Sequence, residues 1–345
     1  MFWIFVILFR ILSGKGICKF QKVREIIMKK SKLFSIFISF VFIWSCADRS
    51  SDNITNSNPQ NGFTQLTGPL SGTVSLAQSP YQVIDTIFVD STQRLIIQKG
   101  VKLHFTDSAM FVIYGSLEAV GDSDYFVHLT AYRNHWKGIR VINSDQNSLF
   151  RYCVIEKVFT DWQDSSQFGA LEINSSTATI QNCIFRQNNC YYGGGLSLLG
   201  DISTITNNIL RENKTVVFGG GILAVESSAR IINNTFFSNL SENVGGGLVV
   251  VDPVTMDVQN NIFFENVGNT GDPGIWLISA DSSGFNQQYN FLPMGSENPQ
   301  FISNDNLHLR DYSPCVNAGN HDPAYNDADG SRNDQGAYGG PLGNW

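Results

Sequence analysis

The chain predicts an all-β solenoid, in which short strands wind through stacked parallel coils. Three observations carry that prediction. The same phrase occurs three times between Gly193 and Asn266, as GGGLSLLGDISTITNNILREN, GGGILAVESSARIINNTFFSN and GGGLVVVDPVTMDVQNNIFFEN. Its period of 26 residues lies in the range, roughly 20–50, that marks units burying their apolar faces only against one another. Within each copy the apolar stretches run two to five residues between Gly, Ser and Asn, too short for helices and rich in the residue types that favour strands. A propeller blade needs about 40 residues, so a 26-residue unit matches instead one coil of a parallel β-helix, with two or three short strands and the turns between them.

Taken in order, residues 1–27 carry an apolar run from Phe2 to Leu12 and then a basic stretch, and are expected to lie upstream of a true start at Met28. Residues 28–45 have the form of a secretory signal: Lys residues, then a 12-residue apolar run from Leu33 to Trp44 that is too short to span a bilayer. Ile43-Trp44-Ser45-Cys46 resembles a bacterial lipobox, which implies lipidation of Cys46 as the mature N-terminus; simple cleavage is the alternative. Residues 46–62 are polar, lack apolar periodicity and read as a flexible tether. The expected location is therefore the cell envelope, at the outer membrane or cell surface through a lipid anchor, or else the secreted pool.

Of the 23 Lys+Arg and 30 Asp+Glu, residues 1–45 hold 8 and 1, which leaves 15 against 29 in the remainder, a net of −14. Such a balance disfavours nucleic acid and anionic headgroups as partners, and weakens a polyuronate ligand unless cations intervene.

The coils are expected over residues 63–292, roughly seven or eight of them, in a stack about 35–40 Å tall at 4.8 Å per coil. Alignment puts Gly193, Gly219 and Gly245 in one column, where the backbone must turn tightly, and Leu196, Ile222 and Leu248 in the next. Two columns of Asn follow, Asn182, Asn207, Asn233 and Asn260, then Asn188, Asn213, Asn239 and Asn266; Asn tolerates a left-handed bend and its amide can donate to the Asn above. Ile180, Ile205, Ile231 and Val258 are expected to form one interior stack, and Ile184, Ile209, Thr235 and Ile262 another. Weaker copies extend the series, with Ser116-Leu117, Gly138-Ile139 and Phe150 to Val154 upstream and Gly274-Ile275-Trp276 closing it. Beyond Cys46 there are four Cys; Cys153 and Cys183 share a column, which permits either a disulfide or a stack of small residues.

The GGG(I/L) and NNxFxxN repeat resembles the right-handed parallel β-helix (pectin-lyase-like) superfamily and the short repeat of chlamydial polymorphic outer-membrane proteins. NPQF, SPCVNAG and DADGSRNDQGAYGG in residues 293–345 resemble the C-terminal segment of bacterial secreted β-helix proteins and imply a cap on the last coil. The implied architecture is one right-handed parallel β-helix between an N-terminal signal segment and that cap. The motifs are specific for fold and weak for activity, since one such fold hosts many functions.

Members that act on or bind glycans use a lateral groove walled by turns that bulge from the coils. The step from Tyr152 to Asn182 is 30 residues, longer than its neighbours, and the excess includes Phe159, Asp161, Trp162 and Asp164. A Trp flanked by carboxylates suits sugar rings and their hydroxyls, though it also suits a loop that covers the coil. Tyr191, Tyr192 and Phe218 precede the triple Gly as a second aromatic feature, either an outer platform or an edge stack. Arg133, His135, Lys137 and Arg140 form the densest basic cluster; beside Asp161 and Asp164 they could serve a polysaccharide lyase or hydrolase as base and carboxylate-neutralising cation. Against that, Trp136-Lys137-Gly138-Ile139 resembles a structural element of non-enzymatic members, and the Asp-Asp pair, Gly-His-Gly and Arg-x-Lys of polygalacturonase-like members do not occur. No cofactor is expected beyond a possible Ca2+ on Asp327, Asp329 and Asp334, whose spacing equally suits a tight turn. The expectation is thus a membrane-tethered binder of an extended polysaccharide or cell-surface partner, with a lyase or hydrolase and a structural adhesin as rivals.

Overall fold

Strands of two to nine residues supply nearly all the regular structure of the computed structural model, which describes residues 56–60, 62–163 and 168–345. They stack in parallel on three faces. The first face runs from Phe111–Ile113 up to Ile275–Ile278 and contains each GGG(I/L) strand. The second has nine strands, from Gly72–Val74 to Phe285–Gln288, and the third runs from Lys102–Phe105 to Ile262–Phe264. A short fourth ladder, Asn189–Cys190 to Val267–Thr270, fills the edge between the third face and the first. At the base Tyr81–Val89 is long enough to serve both the third and the first face, and Asn56–Gln60 turns back antiparallel on Phe63–Pro69. No helix among the described residues is long and apolar enough to cross a membrane.

Register follows the sequence period. Leu196 pairs with Ile222 and Ile222 with Leu248 on the first face, and Ile180, Ile205, Ile231 and Val258 stack on the second with no exposed surface. Gly193, Gly219 and Gly245 take φ of 59°, 64° and 62°, the left-handed backbone that Gly adopts without a steric penalty. Rungs also approach closely there: a Cβ on Gly194 would lie 2.2 Å from the Gly220 carbonyl oxygen.

The third face corrects one expected stack. Ile184, Ile209, Thr235 and Ile262 point outward, and the interior belongs to Phe185, Leu210, Phe236 and Phe263, at most 1% exposed, with Phe236 and Phe263 stacked 4.4 Å apart. The cause is the preceding bend. Tyr152, Asn182, Asn207, Asn233, Asn260 and Tyr289 form a column with φ between 51° and 57°, and one left-handed residue inverts the in–out alternation of the strand that follows.

The same bend separates the two residues of each Asn-Asn pair. Asn207 and Asn233 turn their amides outward, to carbonyls of residues 334–339, and only Asn260 reaches the Asn below, with its Nδ2 3.3 Å from Asn233 Oδ1. The repeating interior ladder is the next residue, Asn208, Asn234, Asn261 and Asn290, linked amide to amide at 2.9–3.0 Å. A second interior ladder runs through Asn188, Asn213, Asn239 and Asn266, also at 2.9–3.0 Å, and each amide donates in addition to a backbone carbonyl of the rung below. These bonds satisfy buried polar groups that the turns would otherwise strand away from water.

The C-terminal segment does more than cap the last coil. It runs back down the outer side of the third face: Gln335 Nε2 bonds Tyr289 O, Gly336 N bonds Asn260 O, Ala337 N bonds Thr235 Oγ1, and Asn182 Nδ2 bonds Leu342 O. Ile209, Phe237, Leu307 and Ala337 form a satellite core beneath it, and Trp345 ends against Phe126 and Tyr152. Cys153 and Cys183 stack as free thiols, not as a disulfide: the Cys183 sulfur sits 3.4 Å from the Cys153 amide nitrogen.

Candidate functional site

The edge between the third and first faces carries the longest connection, whereas from Tyr152 upward the bend into the third face turns on one left-handed residue per coil. The longest connection leaves Cys153–Glu156 and rejoins at Leu171–Asn174, and residues 164–167 of it, Asp164 included, lie outside the described residues. Its first part pairs as a rung, with Val158 bridging Trp136 and Phe159 bridging Asn189. Trp136 is fully buried, stacks on Phe105 at 4.1 Å and donates its Nε1–H to Glu156 O at 2.8 Å, so it locks two coils together.

Around this edge the rings fall into two sets. Trp162 is 46% exposed and Phe159 36%; the His135 ring meets Phe159 edge-on at 5.4 Å, and half-buried Tyr191 follows one rung higher, its N–H bonded to Thr160 Oγ1. His135, Phe159 and Tyr191 form a row across three successive rungs, and the Tyr191 ring also meets Tyr192 edge-on at 4.8 Å. Behind it Phe168, Tyr192 and Phe218 stack at 5.3 and 6.4 Å. Phe218 is only 6% exposed, so of the expected ligand-binding residues it is a packing ring and not a platform; its position one rung above Tyr192 gives it neighbours on both faces. Burial raises the hydroxyl pKa of Tyr192, so it stays neutral over the physiological range.

Part of the basic cluster is used locally: the Arg133 guanidinium lies over the Tyr132 ring at 5.7 Å and His135 packs on Phe159, while the Lys137 backbone N–H donates to Ala109 O. Asp161 Oδ1 accepts the Gln163 N–H at 2.7 Å and closes its own turn. Arg140 points outward from the first face and makes an ion pair with Glu172 one rung above, both side chains at most 5% exposed. Arg140 also donates to Phe168 O, Glu172 accepts from Asn174, and Ser197 on the next rung accepts from Gly169 N, so these polar groups hold the returning end of the loop against the face. Glu172 was not legible as part of this site. Its 32-residue separation from Arg140 departs from the period, and only the observed register makes them neighbours.

In the C-terminal segment Asp327, Asp329 and Asp334 accept backbone N–H groups instead of pointing at a common centre. Asp327 takes Asp334 N and Gly340 N, Asp329 takes Ser331 N, and Asp334 takes Asn317 N. Among the described residues no group of three or more His, Cys, Asp or Glu is placed to hold a metal ion. These carboxylates close turns of the C-terminal segment. Cys190 and Cys315 have thiols pushed up to about 12 by burial, which leaves them protonated and unreactive. Cys46 and residues 28–45 lie outside the described residues.

Fold and edge together define a parallel β-solenoid whose longest connection lies between the third and first faces. A family model described as a right handed beta helix region matches residues 117–289, half of the chain, and the protein belongs to that family. Neither curated proteins nor solved structures gave a significant match.

Proposed function

We propose that the protein is a membrane-tethered, extracytoplasmic β-helix that binds an extended polysaccharide or another cell-surface partner and catalyses no reaction. The observation that carries the reading is the row of His135, Phe159 and Tyr191 on successive rungs, with Trp162 exposed on the same connection as Phe159. Rungs about 4.8 Å apart suit a linear chain of rings laid along the axis, because each aromatic side chain adds apolar contact while the sugar hydroxyls stay hydrated. The tether rests on the signal-like segment and Cys46 at its end. The local engagement of Arg133, His135 and Asp161 in packing and turn closure favours binding over catalysis.

The experiment is a glycan array probed with the full chain and with Trp162→Ala. Loss of one exposed indole is expected to weaken a positive signal about tenfold, the order of a single aromatic contact at a binding surface. Equal binding by the two proteins would remove this platform.

A further inference from the structure

The interior columns of the solenoid stay closed until the last coil and open there. On the first face Leu248 and Val250 have no exposed surface, whereas Leu277, paired one rung above Val250, is half-buried. On the second face Met256 and Val258, at most 1% exposed, give way to half-buried Phe285 and exposed Gln287. Leu292, packed against the same core, is also half-buried. The base differs: Leu66, Leu70 and Val74 are at most 4% exposed, and Asn56–Gln60 lies antiparallel along the edge of Phe63–Pro69.

Hydrogen bonding stops unfinished at the same level. Val267–Thr270, Ile275–Ile278 and Phe285–Gln288 each pair only with the strand below, so among the described residues their upper edges carry unpaired backbone groups. The two interior Asn ladders end there too. Asn266 Nδ2 bonds Phe236 O and Asn290 Nδ2 bonds Val258 O, both in the rung below. Among the described residues neither amide has an acceptor above it, such as Asn266 and Asn290 themselves offer to Asn239 and Asn261.

We propose that this open end docks a second copy of the chain, the two solenoids meeting at their last coils. The contact extends the one that already joins rung to rung. A single added strand could pair with one edge, but a coil of matching cross-section is needed to meet three edges and cover Leu277, Phe285 and Leu292 together. The chain's own last coil has that cross-section, and its base cannot serve because an edge there is already paired and its apolar residues are covered. About a two-fold axis each Ile275–Ile278 edge pairs antiparallel with its counterpart, and the assembly closes at two copies instead of growing into a fibre. Charge at the rim sets the strength. Residues 267–297 include exposed Asp272, Asp281 and Glu297 and no Lys, Arg or His, so the facing ends repel at low ionic strength and tighten as salt screens them. Neither the Trp162 row nor a glycan takes part in this contact.

The test is sedimentation equilibrium of the full chain over about 1–100 μM, at low and at high salt. A monomer–dimer equilibrium is expected, tighter at high salt. Leu277→Glu alters a half-buried side chain and Gln287→Glu a fully exposed one that the fold does not need; each adds a carboxylate to both sides of the contact and is expected to weaken dimerisation about tenfold or more. Trp162→Ala is expected to leave it unchanged. A monomer throughout the range, a dimer as tight in Gln287→Glu as in wild type, a dimer that salt weakens, or growth beyond two copies would each overturn the assignment.

Discussion

The two Asn columns make opposite demands on their side chains, and substitution can separate them. Asn239 has no exposed surface and its side chain takes part in four hydrogen bonds: the amide donates to Leu210 O at 2.8 Å and Asn266 Oδ1 at 2.9 Å, and Oδ1 accepts from Asn213 N and Nδ2 at 3.1 and 3.0 Å. Asn239→Ala deletes all four and strands the Asn213 donors and the Leu210 carbonyl in the interior. At about 1 kcal/mol per bond, the loss is about 4 kcal/mol, a large share of the 5–15 kcal/mol typical of a domain. Asn207 donates outward, to Ala337 O at 3.0 Å and Gly339 O at 2.7 Å, from a left-handed backbone with φ of 55°. Asn207→Gly loses those two bonds but eases the bend, so it should cost about 1 kcal/mol. Urea unfolding followed by far-UV circular dichroism measures both. Similar losses in the two variants, or a loss below about 1.5 kcal/mol for Asn239→Ala, would refute the division into an interior ladder and an outer set of clasps.

Two further outcomes follow from the packing of the rungs. Gly194→Ala would place a Cβ 2.2 Å from Gly220 O and 2.8 Å from Lys214 O, both backbone atoms that move only if the rungs spread; a loss of about 3 kcal/mol and a lower Tm by calorimetry are expected. Asp201 is buried where it accepts from Ser203 N at 3.0 Å and Ser227 Oγ at 2.5 Å, and burial raises its pKa above 3.8 in spite of those bonds. Between the unfolded value and the folded one the native state holds the extra proton, so this group's contribution to stability falls as pH rises through that window. Asp201→Asn should therefore stabilise the protein at pH 7 relative to wild type and give little or no gain at pH 3, read from urea midpoints at both values; an equal effect at the two would contradict the raised pKa.

Much of the architecture was legible because it is local and repeated. A constant step makes equivalent residues neighbours, so the second-face stack of Ile180, Ile205, Ile231 and Val258 and the left-handed Gly column could be read directly. The excess residues between Tyr152 and Asn182 likewise marked the edge at which Trp162 is exposed. The third-face interior was misplaced because a single residue at the bend decides which side every following residue faces, and the letters Asn-Asn do not say which of the two makes the bend.

By itself, the amino-acid sequence determined the class, the period and most of the vertical rows, since matching short strands one turn apart have no better way to bury their apolar sides than on each other. Only the tertiary structure decided three other things: which Asn points inward, how the tail returns along the third face to Trp345, and how Arg140 meets Glu172. The tail and ion-pair contacts join residues whose separations, from 32 to more than 100, obey no repeat, so closure of the coils sets them and no pattern along the chain announces them.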